Sequence, residues 1–269
     1  LHRRIECREK GEMPGINTGL GKLNEYTMGW QPSDLIILAA RPSMGKTALS
    51  LFFGKTAAER GIPVVFFTLE MSDLRLTQRL ILSECDVPVD AVKSGNMTEI
   101  QVKKFSATKE AMKRLPISII EKGTVGMEGI RRTAKALHKQ GKCGMIILDY
   151  LQLRDSGRKG QTNRGQEVAS YSRALKSLAK ELKVPVIALS QLSRQVEGRQ
   201  DKHPTLADLR ESGAIEQDAD VVLMLYRDEY YDPKSDKIGI GEIGIEKNRE
   251  GDTRIAEFGY NPEMTKIFN

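Results

Sequence analysis

Six short apolar runs punctuate the chain, at 35–40, 63–69, 117–120, 144–149, 185–190 and 220–226. Each is rich in Val, Ile, Leu or Phe, and its apolarity is continuous rather than alternating. That is the pattern of strands covered on both faces. Helical stretches fall between them, at 46–60, 73–84, 98–113, 126–139 and 166–183. Thr98-Glu99-Ile100-Gln101 has the form of a capping box, and Gly61 and Gly141 stand where a helix-ending glycine belongs. Strand and helix alternate, so the pattern predicts an α/β fold with a mostly parallel, twisted sheet flanked by helices. The rhythm changes near the end. Residues 238–247 and 253–258 form two strands joined through Asn248-Arg249-Glu250-Gly251-Asp252. With a last strand at 264–268 they make an antiparallel edge. Residues 1–14 are polar, end in Met-Pro, and fit an arm or the tail of a linker. The rest, 15–269, has no internal repeat and no low-complexity segment.

With 269 residues, the chain is long enough for one large α/β domain or two small ones. Its 39% hydrophobic and 29% charged content suits a globular protein. No apolar stretch approaches bilayer length, so a membrane partner is not expected. The amino end, Leu1-His2-Arg3-Arg4-Ile5, is charged, lacks the apolar core of a secretion signal and has no initiator Met, as in a fragment or trimmed product. Cys7, Cys85 and Cys143 are scattered and join no histidine in a ligand pattern, which points to a reducing cytoplasm. The net charge of +6 is mild. Its placement is more telling: Arg154, Arg158, Lys159 and Arg164 stand against Asp155 alone within 154–166.

The chemistry starts at the end of the first run. Ala40-Arg41-Pro42-Ser43-Met44-Gly45-Lys46-Thr47 follows a strand and opens an Ala- and Leu-rich helix, the arrangement of a phosphate cradle. Turn N–H groups and a helix amino end converge on one anion site, with Ser43, Met44, Gly45, Lys46, Thr47 and Ala48 around it. Lys46 reaches the β- and γ-phosphates of a nucleoside triphosphate, and Thr47 offers Mg²⁺ a hydroxyl. Ala40 stands where the motif usually has its first glycine. Met145-Ile146-Ile147-Leu148-Asp149 ends a strand in a carboxylate suited to the same Mg²⁺. Glu70, past the second strand, is either a base for the attacking water or an acid at the amino end of the next helix. Gln191, at the tip of the fifth strand, is a γ-phosphate contact or an ordinary polar residue. The polar run 206–220 has the composition of a solvated loop and short helix. Lys247 and Arg249 are surface charges, or cations that reach a neighbour's site.

Taken together, these strings resemble the C-terminal ATPase domain of bacterial and phage replicative hexameric helicases of the DnaB type, with a RecA-like core. The markers are Gly15-Ile16-Asn17-Thr18-Gly19, the cradle, Leu69-Glu70-Met71-Ser72, Leu148-Asp149-Tyr150-Leu151-Gln152-Leu153, Leu189-Ser190-Gln191-Leu192, Asp208-Leu209-Arg210-Glu211-Ser212-Gly213 and Tyr226-Arg227-Asp228-Glu229. The alanine in the cradle is also similar to this family. The resemblance implies a motor that uses ATP and Mg²⁺ to translocate on single-stranded DNA as a homo-hexameric ring and to unwind duplex. Its site in a bacterial cell would be the cytoplasm, with a phage-encoded origin also open, and its further partners a primase and a helicase loader. It implies Glu70 as catalytic base and Gln191 as the link from γ-phosphate to DNA. Arg210, Glu211 and Gly213 would belong to the DNA loop, and Lys247 and Arg249 would act on the next subunit's ATP. One departure is Glu250, an acid beside the finger arginine where the family reads Asn. The family's N-terminal collar is absent from this sequence, and 1–14 matches the end of the linker to it.

Two other readings stay open at this level. A RecA-like recombinase would need a pairing loop and a polymerisation motif, and neither is found. An ATP-gated DNA-binding or loader module would bind without unwinding and has less need of the Glu70, Gln191 and Arg249 set.

Overall fold

The computed structural model describes residues 13–69, 71–121, 126–149, 164–209 and 213–269. Nine strands form one sheet in the order β3-β2-β4-β5-β1-β6-β7-β8-β9. The six strands β1 (Leu35–Ala40), β2 (Val64–Thr68), β3 (Ile117–Glu121), β4 (Met145–Asp149), β5 (Val186–Gln191) and β6 (Val221–Tyr226) run parallel. Then β7 (Ile240–Asn248), β8 (Ile255–Asn261) and β9 (Lys266–Phe268) continue antiparallel. The expected fold class and its antiparallel edge are both present.

The helices are α1 (Gly21–Thr27), α2 (Lys46–Glu59), α3 (Asp73–Cys85), α4 (Val89–Ser94), α5 (Glu99–Met112), α6 (Met127–Lys139), α7 (Arg164–Leu182) and α8 (Gly213–Asp218). The five expected long helices lie within one or two residues of their predicted limits. Thr98 and Gln101 form the capping box on α5. Gly61 and Gly141, at φ of 78° and 71°, end α2 and α6 in a conformation that a side chain disfavours. Helices α1 and α4 were not expected: six or seven residues are too few for a periodic signal.

The continuous apolarity of the strands follows from two cores. Ile36, Leu38, Phe66, Ile147, Leu189 and Leu223 pack on one face against α2 and α3. Their sequence neighbours Ile37, Phe67, Ile146, Ala188 and Val222 pack on the other against α6, α7 and α8. Alternate residues thus enter opposite cores, each large side chain contributing about 1.5–3 kcal/mol on burial. Strand β3 is an edge strand, paired with β2: Ile117 and Ile119 pack against the first core and Ile120 against the second, each only partly buried.

One irregularity changes the chemistry of the C-terminal edge. In the β6–β7 pair, Val222 faces Lys247 but Leu223 faces Ile245, so Glu246 is an extra residue, a β-bulge. Without it, Lys247 would follow Ile243 and Ile245 into the α2 side of the sheet. With it, Lys247 sits on the face that carries α7 and α8.

Candidate functional site

The carboxyl ends of β1, β4 and β5 meet at the turn that follows β1. Ser43 and Gly45 hold φ of 66° and 97°, so successive N–H groups curve toward one point. Gly45 has a second constraint: a Cβ there would lie 3.3 Å from the Tyr260 ring. Helix α2 starts at Lys46, and its first bond runs from Leu49 N–H to the Gly45 carbonyl at 2.9 Å. The amides ahead of that bond, at Lys46, Thr47 and Ala48, form the positive end of a 14-residue helix.

Two side chains of the cradle reach across to other strands. Lys46 Nζ donates to the Ser190 carbonyl on β5 at 3.1 Å. Thr47 Oγ1 donates to Asp149 Oδ2 at 3.1 Å, on a carboxylate that is buried at the tip of β4. A hydroxyl and a carboxylate are hard oxygen donors, so the pair fits Mg²⁺, which takes few protein ligands and completes its shell with water and phosphate. No cluster of three His, Cys, Asp or Glu that could hold a different metal exists among the described residues.

Glu70 lies outside the described residues, but both of its neighbours are placed. Leu69 N–H donates to the Asp149 carbonyl at 2.9 Å, and Thr68 Oγ1 bonds the Met71 carbonyl at 2.7 Å. Ser72 caps α3, and Asp73 is its first-turn acid.

Gln191 ends β5 in register with Ala40, at the mouth of the cradle. Beyond it, Leu192 bridges to Leu209, and Ser193 N–H donates to the Asp208 carbonyl at 2.9 Å. The tip that carries Gln191 is thus tied to the residues that precede Arg210. Arg210 and Glu211 lie outside the described residues, as does most of the basic stretch 154–166. Gly213 is exposed and opens α8. The run 206–220 is less solvated than its composition suggests, because Asp208 and Asp220 are both buried.

Lys247 and Arg249 lie far from their own cradle. Ile36 and Ala40 of β1 pair with Val221 and Leu225 of β6, and Val221 in turn faces Asn248. The pair therefore sits at the amino end of β6, roughly 13 Å along the strand from the cradle end. Lys247 donates to the carbonyls of Glu216 and Ala219, and Arg249 to that of Gln217, at the carboxyl end of α8. Arg249 also faces Asp220 at 3.5 Å. Burial and then Arg249 push the Lys247 ammonium pKa down, against the pull of Asp220 and Glu216.

Two features escaped the sequence reading. Arg41, in the cradle turn, is buried; its Nε and Nη2 meet Glu197 at 2.9 and 2.7 Å, and its Nη1 meets the Leu192 carbonyl at 2.9 Å. It ties the cradle to the segment behind Gln191, and its place inside the motif was its only sequence signal. Tyr260 of β8 lies against Gly45, with the Arg227 guanidinium 4.3 Å from its ring centroid. Arg227 is paired with Glu229.

Residues 15–269 match the family described as the DnaB-like helicase C-terminal domain. The chain is 42% identical over 270 residues to replicative DNA helicase DnaC of Bacillus subtilis (strain 168), covering 100% of this chain and 58% of that protein. It is 43% identical over 260 residues to replicative DNA helicase DnaB of Geobacillus stearothermophilus, covering 96% and 57%. The chain therefore spans less than two thirds of the length of these relatives. A solved ATPase domain superimposes with a TM-score of 0.93 at 35% identity, covering 100% of this chain and 95% of that one. So does a DnaB-like replicative helicase described with its interactions with primase, at the same TM-score and identity, covering 100% and 64%.

Proposed function

The chain belongs to the DnaB-like helicase C-terminal domain family, and from that premise we propose that it is the ATP-driven motor of a replicative DNA helicase. The observation that carries this reading is the meeting of Lys46, Thr47 and Asp149 at the ends of β1, β4 and β5. A triphosphate in the cradle would take its hydrogen bonds from the amides of 43–48, and Lys46 would leave the Ser190 carbonyl to pair with the β- and γ-oxygens. Thr47 and Asp149 would hold Mg²⁺, which when bound neutralises charge on those oxygens. Glu70 would accept a proton from the attacking water, and Gln191 would contact the γ-phosphate. The Tyr260 ring and the Arg227 guanidinium, beside Gly45, offer flat surfaces for the nucleotide base.

Gln191 shares a strand tip with Leu192, and Leu192 pairs with Leu209. Hydrolysis in the cradle would therefore move the loop of Arg210, Glu211 and Gly213, which grips single-stranded DNA through phosphates rather than bases. Lys247 and Arg249 are a strand-length from their own cradle, which supports a role on the adjacent subunit in a homo-hexameric ring. Residues 1–14 are read as the end of a linker and 15–269 as the motor. No helix among the described residues is long and apolar enough to cross a membrane, and the cytoplasm of a bacterial cell is the proposed setting. Primase and a loader are proposed partners.

The test is ATP hydrolysis with and without single-stranded DNA, alongside unwinding of a forked duplex, for wild type and Lys46→Ala. DNA-stimulated hydrolysis and unwinding, both lost in the variant, support the reading. Binding of ATP and DNA without strand separation would instead favour a gated binding module.

A further inference from the structure

The segment between β5 and Arg210 folds back over the sheet and reaches β7 through His203. His203 Nε2 lies 3.0 Å from Glu242 Oε2, and Nδ1 lies 2.7 Å from Asp201 Oδ1. An ionised carboxylate only accepts, so both ring nitrogens must carry protons for both bonds to exist. The geometry is that of an imidazolium held between two acids. Its ring rests on Tyr226, with centroids 4.0 Å apart. The same segment is tied toward the DNA loop: Arg199 Nη2 donates to the His203 carbonyl at 2.8 Å and to Asp208 at 2.7 Å, two residues before Arg210.

We propose that His203 is a positioning residue for the DNA loop: as an imidazolium it fastens the segment ahead of Arg210 to β7, and on losing its proton it releases β7 and loosens the grip on single-stranded DNA. This rests on the helicase-motor reading above. Every group packed around the ring bears on its charge. Asp201, Lys202 and Arg199 lie on its own segment. Tyr226 of β6 lies beneath it, with Tyr231 stacked behind and Asp228 bonded to the Tyr226 hydroxyl. Glu242 and Glu246 come from β7, and Lys237 reaches Glu242 at 2.5 Å. Burial pushes the imidazole pKa down, but the hydrogen bonds to Asp201 and Glu242 outweigh it, so the pKa is raised above its ordinary value. A raised pKa places the clamp's stability below the free histidine's range and removes it as pH rises through the higher value.

Two further features make release feasible. Glu242 keeps Lys237 when His203 departs, so no buried carboxylate is left alone. A cavity of about 270 Å³, lined by Asp201, His203, Pro204, Tyr226, Glu242 and Glu246, gives water access to the vacated position.

The experiment measures single-stranded DNA affinity by fluorescence anisotropy from about pH 6 to about pH 9, a range that spans histidine titration. It uses the whole chain with a non-hydrolysable ATP analogue, as wild type, His203→Arg and His203→Gln. Wild type should lose about three- to tenfold more affinity across the range than His203→Arg, the scale of one hydrogen bond. His203→Arg keeps a permanent cation with two-sided donors and should hold wild-type low-pH affinity throughout. His203→Gln should be weak and flat. In parallel, imidazole ¹⁵N spectra should show both His203 nitrogens protonated near neutral pH, with the titration shifted down in Glu242→Gln. Identical pH profiles for wild type and His203→Arg, with DNA bound, would overturn this role and leave the motor reading standing. An ordinary His203 titration would overturn it as well. A chain that binds no single-stranded DNA at any pH would sink the motor reading, while the spectra still report whether the clamp exists.

Discussion

Thr47 Oγ1 and Asp149 Oδ2 are 3.1 Å apart, although 102 positions separate the two residues in the chain. Parallel strand pairing makes that meeting possible. Strand β5 lies between β1 and β4 and sets both tips at one end of the sheet. Asp149→Asn keeps the shape and an acceptor for Thr47 but removes the charge. Apparent Mg²⁺ affinity in the hydrolysis assay should fall about 10–100-fold, with nucleotide binding retained. An unchanged Mg²⁺ dependence would remove Asp149 from the metal site.

Leu69 and Met71, the chain neighbours of Glu70, are bonded to Asp149 and Thr68. Glu70→Gln should bind ATP normally and hydrolyse it at least about a hundredfold more slowly, the scale of a general base. Near-normal turnover in single-turnover kinetics would return Glu70 to an ordinary acid ahead of a helix.

Arg249 stands at the far end of β6 from its own cradle, and in the isolated chain it is bonded to the carboxyl end of α8. If it serves a neighbour, Arg249→Ala should fold and bind nucleotide yet lose about 10³–10⁵ in rate. Mixing it with Glu70→Gln should restore some turnover, because an Arg249→Ala subunit's cradle can meet a Glu70→Gln subunit's intact finger. Monomeric wild type, verified by sedimentation, that hydrolyses ATP at the assembled rate would refute the role in trans.

Arg41 joins three segments: the cradle turn, the Leu192 carbonyl and Glu197. Its truncation leaves a buried carbonyl without this donor, which costs about 1–3 kcal/mol. Arg41→Ala should therefore lower the melting temperature and weaken the stimulation of hydrolysis by DNA. Arg41→Lys should recover little of either, because an ammonium cannot span both acceptors with a planar fork. Unaltered DNA stimulation in a folded Arg41→Ala protein would show that the link carries no signal.

Cys143 is buried, and burial pushes its thiol pKa from 9.0 to about 11. The unfolded chain releases that proton first, so the unfolded state binds fewer protons between these values and stability falls as pH rises through them. Cys143→Ala should lose less stability over that window in chemical denaturation. In the folded wild type, Cys143 should resist alkylation near neutral pH.

The residue order by itself determined the layered α/β architecture, because short runs of continuous apolarity alternating with helical stretches fit strands packed between two layers. It also determined the shape of the cradle, whose parts lie within one strand, one turn and one helix: Ser43 to Ala48 are brought together by local backbone geometry, which short sequence windows encode. The capping box at Thr98 was legible for the same reason. What was not legible depends on partners distant in sequence. Strand β3 has the composition of an interior strand, and only the strand order puts it at the edge. Arg41 could not be matched to Glu197, Tyr260 to Gly45, or His203 to Glu242, since nothing local tells one member of each pair where the other is. The face on which Lys247 emerges was decided by one extra residue, Glu246. A period of two makes every side chain beyond a bulge change sides, and a bulge arises from the register of two strands, which neither strand's sequence specifies alone.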